Sequence, residues 1–364
     1  MPSKWRELEA LGQSVWYDNV ARPALESGLF ERIMRDDNVT GGTSNPSIFA
    51  KAVSDSDLYD EDIRSAPSGD STKDVFDRLA VRDIQRACDL VRPVWERTNG
   101  HDGYISLEVE ADLAYETEGT VARAVELKGL VDRPNLMVKV PGTEPGIAAF
   151  RQLTRQGVSI NVTLLFSTDR YRAIAEAYVD ALEERHAAGE PIDAIASVAS
   201  FFVSRIDTKV DDQLPEDSPL RGKVAIANAK LAYADVFQQV FDGDRWHRLT
   251  LAGANVQRPL WASTGVKNPA YSPTLYIDNL IGPDTVNTVP DVALDAFRDQ
   301  GTPGATVTEG VDEAREQIAA LREAGVDLAA ITADLEQDGV KQFSDAYDGM
   351  LEAIASKRQK VSAD

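Results

Sequence analysis

The sequence predicts a parallel (β/α)8 barrel with additional helices, a C-terminal helical extension among them. Three observations point there. Eight short apolar or β-branched segments alternate with longer helical patterns along the chain. The segments stay largely apolar instead of alternating, as strands buried on both faces require. Their polar residues fall late in each segment, and the C-terminal strand ends of a barrel are where a site gathers. A doubly wound open sheet shares the alternation, but no Gly-x-Gly-x-x-Gly follows any candidate strand.

The first candidate, residues 14–20, carries Asp18. The second, 41–46, carries Asn45 in Thr43-Ser44-Asn45-Pro46, and the third, 104–109, ends near Glu108. A long helical pattern, 74–98, lies between the second and third. A helix is expected over 120–130, then a fourth strand over 136–140 that is apolar except for Lys139. The fifth, 159–166, holds Asn161 and Thr163, and a helix over 171–187 follows it. The sixth, 195–202, holds Ser200, with Arg205 just beyond. An Ala-rich helical pattern over 220–241 precedes the seventh, 258–263, which ends on Ser263. The eighth is 285–289. The expected organisation is one barrel domain over 1–364, with 300–364 as an acidic, helical appendage.

Charge narrows the function. The chain has 364 residues, 38 basic against 60 acidic, for a net charge of −22. Such a surface disfavours nucleic acid and anionic membranes as partners. It also repels phosphorylated molecules, so a phosphate-bearing substrate needs a local basic pocket. Dense carboxylates and only 12 lysines among the basic residues suit adaptation to high salt. One cysteine, Cys88, excludes an internal disulfide, and its helical context reads as packing. His101, His186 and His247 show no metal-ligand spacing. The opening residues form no apolar signal core and no 18-residue apolar run occurs, so a cytoplasmic location is expected.

Lys139 is the sharpest single signal. A lysine inside a buried strand pairs with a carboxylate, reaches solvent, or serves chemistry. Desolvation favours its neutral, nucleophilic amine. Glu108 and Asp18 are readable as its ion-pair partners or as an acid/base pair for Schiff-base chemistry. Asn45 and Asn161 read as packing residues or as hydrogen-bond partners of substrate hydroxyls. Arg205, Ser200 and Ser263 together form a plausible phosphate clamp, which Lys267 could join.

Five motifs in order resemble the transaldolase family. They are Thr43-Ser44-Asn45-Pro46-Ser47, Ser106-Leu107-Glu108-Val109, Met137-Val138-Lys139-Val140-Pro141, Asn161-Val162-Thr163-Leu164-Leu165-Phe166-Ser167 and Ser200-Phe201-Phe202-Val203-Ser204-Arg205. The resemblance covers about residues 10–298. Trp16-Tyr17-Asp18-Asn19 and Trp261-Ala262-Ser263-Thr264-Gly265 match the longer bacterial form best. The resemblance implies a barrel enzyme that moves a dihydroxyacetone unit between sugar phosphates, with no metal or organic cofactor. It assigns the Schiff base to Lys139. Acid/base work through a water held by Thr163 falls to Glu108, and deprotonation of the C4 hydroxyl to Asp18. Asn45 and Asn161 would hold the dihydroxyacetone moiety, and Ser200, Arg205 and Ser263 the phosphate. Shorter relatives place a second phosphate arginine where this chain has Gly265, a place Lys267 would have to fill. A monomer or homodimer acting on small sugar phosphates is the expected assembly. A fructose 6-phosphate aldolase is the nearest rival, although that relative typically has glutamine at the position of Glu108 and is much shorter. A phosphosugar-binding barrel without catalysis is the other.

Overall fold

The computed structural model describes residues 3–361. Eight strands form a closed parallel barrel in sequence order: β1 (Gln13–Tyr17), β2 (Val39–Thr43), β3 (Ile105–Glu108), β4 (Leu136–Pro141), β5 (Ile160–Leu165), β6 (Ser197–Phe202), β7 (Gln257–Ala262) and β8 (Thr285–Val289). β8 closes on β1 with Gln13 opposite Thr285. Every residue of β2 and of β4 through β8 is buried, which is why these segments lack a polar face. β2 is squeezed between its neighbours. A Cβ on Gly41 would lie 2.6 Å from the Tyr104 carbonyl oxygen, and one on Gly42 would lie 2.4 Å from Val20.

The boundaries shift most at β2. Asn45 and Pro46 open the helix Pro46–Asp55 instead of ending the strand. Asn45 Oδ1 accepts from the Ile48 amide at 3.0 Å, and Pro46 occupies the first turn, where no intrahelical N–H is needed. β1 stops at Tyr17, so Asp18 and, likewise, Ser263 after β7 lie one residue beyond their strands. The expected helix over 220–241 begins only at Val224 and passes through a π-helical turn, Ala232–Phe237. The helix expected from 74 runs Thr72–Arg97, started by a capping box between Ser71 and Asp74. Cys88 is buried within it.

The N-terminal end of the barrel is a polar plug. Arg258 on β7 is buried and donates to Ser14 Oγ at 2.6 Å and to the Thr285 carbonyl at 2.8 Å. Asp102 faces it and accepts from Trp16 Nε1 and the Gly103 amide, both at 2.8 Å.

The last described element is a 34-residue helix, Leu328–Val361, on the order of 50 Å long. Asp327 Oδ1 caps it through the Ala329 and Ala330 amides. The helix packs on Pro46–Asp55, on the turn Ala111–Tyr115, on Ser204–Asp211 and on β5. Those are the connections that follow β2, β3 and β6, so the helix lies across the C-terminal mouth. Arg170–Glu336 at 3.0 Å and Lys209–Asp338 at 2.8 Å fix its first half, and Lys357–Asp60 at 2.9 Å fixes its last turns. At Gly339 it approaches β5 so closely that a Cβ would lie 2.8 Å from Leu164 Cδ2.

Candidate active site

The C-terminal mouth encloses a cavity of about 120 Å3. Its walls include Asp18, Asn45, Lys139, Thr163, Arg205 and Phe343. The late-strand residues of the sequence therefore converge, although they come from separate strands and loops.

Lys139 stands on β4 with Glu108 as its register partner on β3 and Asn161 on β5. Its Nζ donates to Glu108 Oε2 at 3.3 Å, and the two side chains are only 7% and 5% exposed. Of the two carboxylates in reach by sequence, Glu108 is the partner. Burial pushes the Glu108 carboxyl up to about 7, against the lowering effect of the Lys139 charge. Glu108 Oε1 and Thr163 Oγ1 are both buried with no partner inside the protein. Thr163 owes its placement to an irregularity. The β5–β6 register shifts between Val162 and Leu165, and Leu164 adopts a left-handed φ of 63°. Such bulges re-aim side chains beside sites.

Asp18 is held differently. Thr43 Oγ1 donates to Asp18 Oδ1 at 2.7 Å, and so must accept from Thr288 Oγ1, also at 2.7 Å, because a hydroxyl has one proton. Burial raises the Asp18 carboxyl above its ordinary range; the Thr43 bond and the Lys139 charge oppose this. Deeper in, Ser200 donates to Asn161 Oδ1 at 2.7 Å, and Asn161 Nδ2 donates to Ser106 at 3.0 Å. This chain fixes the orientation of the Asn161 amide. Asn45 uses Oδ1 to cap its helix and keeps Nδ2 for the cavity.

A cationic corner lies beside this set. Arg205, in the first turn of Ser204–Asp211, stacks over Phe202 at 5.2 Å and has a buried Nη1 with no partner. Ser263, at a left-handed φ of 56°, shares a 2.9 Å hydrogen bond with Ser204. Lys267 is exposed and is not part of the cavity wall. Desolvation and then the nearby Arg205 charge hold its ammonium below the ordinary lysine range. Two cations therefore adjoin at this corner.

Five wall residues were not among the sequence candidates: Thr43, Phe202, Ala262, Thr288 and Phe343. Thr43 closes β2 and Thr288 is next to last in β8, so the late-strand rule reaches both. Phe343 comes from the last helix and had no such signal. Among the described residues, no group of three or more His, Cys, Asp or Glu is placed to hold a metal ion. No helix among them is long and apolar enough to cross a membrane.

A closed parallel barrel with a buried lysine–glutamate pair at its C-terminal mouth has the build of a barrel enzyme that works through an amine. The chain belongs to the transaldolase/fructose-6-phosphate aldolase family, whose model matches residues 15–354. It is 45% identical over 364 residues to a transaldolase of Thermobifida fusca, covering 98% of this chain and 99% of that one. A transaldolase of Thiobacillus denitrificans is 46% identical over 355 residues, covering 96% and 99%. One of Parafrankia sp. is 45% identical over 355 residues, covering 96% of each.

Proposed function

We propose that this chain is a transaldolase, moving a dihydroxyacetone unit reversibly from sedoheptulose 7-phosphate to glyceraldehyde 3-phosphate to give erythrose 4-phosphate and fructose 6-phosphate. The observation that carries this reading is Lys139, buried against Glu108 in a mouth that also holds a cationic corner. Lys139 attacks the donor ketone, and loss of water leaves a protonated imine. Glu108, poised near neutral pH, moves the protons of that dehydration. A water accepted between Glu108 Oε1 and Thr163 Oγ1 satisfies both buried oxygens and carries them. Asp18 takes the C4 hydroxyl proton as the C3–C4 bond breaks, and the imine accepts the electron pair. Asn45 Nδ2 and Asn161 hold the three-carbon unit, and Ser200, expected at the phosphate, instead orients the Asn161 amide. Arg205, Ser263 and Lys267 hold the phosphate, with Lys267 serving where Gly265 offers no side chain. The reaction needs no cofactor on this reading. Sugar phosphates are charged and stay where they are made, which suits a cytoplasmic site of action. We further propose one barrel domain over 1–364, acting as a monomer or homodimer.

The test uses fructose 6-phosphate as donor, with and without erythrose 4-phosphate. Sustained turnover that requires the acceptor and yields sedoheptulose 7-phosphate is expected. Release of free dihydroxyacetone without acceptor at comparable rate would make the chain an aldolase. Lys139→Met is expected to remain folded by circular dichroism and to lose activity by at least ~10^3-fold. Appreciable turnover by that variant overturns the Schiff-base assignment, and inactivity of the parent in both assays leaves only a sugar-phosphate-binding barrel.

A further inference from the structure

The cavity wall has one member from outside the strands and the connections that directly follow them. Phe343 is 9% exposed and sits in the helix Leu328–Val361, 204 residues beyond Lys139 in sequence (343 − 139). Its ring centroid lies 5.3 Å from Lys139 Nζ, over the amine. Its placement is enforced from both sides. Four residues earlier, Gly339 seats the helix on Leu164. Four residues later, Tyr347 packs edge-on against Phe76 at 5.9 Å, and Phe76 in turn against Phe49 at 5.5 Å. The roofed space of about 120 Å3 is well below the ~300–1,000 Å3 usual for small-molecule sites. That is room for a three-carbon unit under the roof.

We propose that Phe343 is a positioning residue that shields the lysine-bound three-carbon intermediate from water and thereby favours transfer over release. The inference rests on the Schiff-base reading above. After the C3–C4 bond breaks, the three-carbon unit remains on Lys139 as an enamine. In transfer, its C3 carbon attacks the acceptor aldehyde and forms a new C–C bond, the resulting alkoxide takes a proton, and a water then adds to the iminium carbon so that the C–N bond breaks and frees the seven-carbon product. In release, C3 instead takes a proton from water. A further water then adds to the iminium carbon, and the C–N bond breaks to give free dihydroxyacetone and the lysine ammonium. Hydrolysis of the iminium is common to both branches, and protonation of C3 by water belongs to release alone. An apolar ring over the adduct slows that protonation and favours the cationic nitrogen.

The test compares Phe343→Ala and Phe343→Leu with the parent, all as full chains. For each, the rate of glyceraldehyde 3-phosphate formation from fructose 6-phosphate alone is divided by the rate of sedoheptulose 7-phosphate formation with erythrose 4-phosphate. Phe343→Ala is expected to raise this ratio at least tenfold, and Phe343→Leu, which keeps bulk but loses the ring, about threefold. A ratio within twofold of the parent in Phe343→Ala, or in Phe343→Leu if the alanine variant does not fold, overturns the proposal. Borohydride added with fructose 6-phosphate separates the two readings. Covalent labelling of Lys139 in the parent upholds the Schiff base whatever the ratio does, and an unlabelled parent removes that base and the shielding with it.

Discussion

The Glu108 carboxyl balances burial, which favours its neutral form, against the Lys139 ammonium, which favours the anion. Burial wins, and the group titrates at about 7 instead of its ordinary 4.5. The folded protein then holds this proton more tightly than the unfolded chain. The stabilisation is complete below about pH 4.5 and is lost as pH rises through about 7. Asp207, buried and also raised to about 7, adds in the same direction. Glu108→Gln removes one of these titrations. The fall in unfolding free energy between pH 5 and 7 is therefore expected to be shallower in the variant, by up to ~1.4 kcal/mol per pH unit. Urea titrations across that range measure it, and parallel curves for parent and variant would contradict the shifted carboxyl. The residue types of this site were legible in the sequence because a lysine or carboxylate in an apolar strand has few bland explanations. The partnerships were less legible. Asp18 stood as close to Lys139 in prospect as Glu108 did, and only the strand register separates them, placing Glu108 opposite Lys139 and giving Asp18 to Thr43.

The last helix depends on one close approach. Gly339→Val would drive a branched side chain into Leu164, whose left-handed backbone already sits in a bulge. The expected cost is about 1–3 kcal/mol, read as a lower urea midpoint. Activity should fall by more than the folded fraction does, because the same bulge carries Thr163 and the same helix carries Phe343. An unchanged midpoint would show that the contact yields freely. Strands are legible because buried parallel strands are apolar runs, and the apolar run 285–289 coincides with β8. β2 ends earlier than its sequence suggests, because Thr43-Ser44-Asn45-Pro46 has strand-like small residues, whereas Asn followed by Pro is also a helix start. The position of the last helix was not legible. Its apolar spacing says that one face is buried but not against what, and nothing in residues 328–361 points to a lysine two hundred residues away.

At the scale of the whole molecule, a net charge of −22 acts on every element at once. Arginines such as Arg133 and Arg245 reach acidic neighbours at the surface, yet exposed pairs of this kind contribute little each. Screening relieves the surplus repulsion more than it weakens those pairs. The melting temperature is expected to rise from low salt to molar KCl, and a flat or falling series would remove the case for a salt-adapted surface. The two ends of the barrel divide their work. Arg258 and Asp102 plug one end, while the other gathers Lys139, Glu108 and Asp18.

Phe343 lies 54 residues beyond Val289, the last residue of the eighth strand (343 − 289). A chain made on the ribosome from its N-terminus folds its early parts first. All eight strands, with Lys139 and Glu108 among them, are therefore synthesised before the aromatic ring that covers them exists. A nascent chain at that stage carries an amine that the ring does not yet cover.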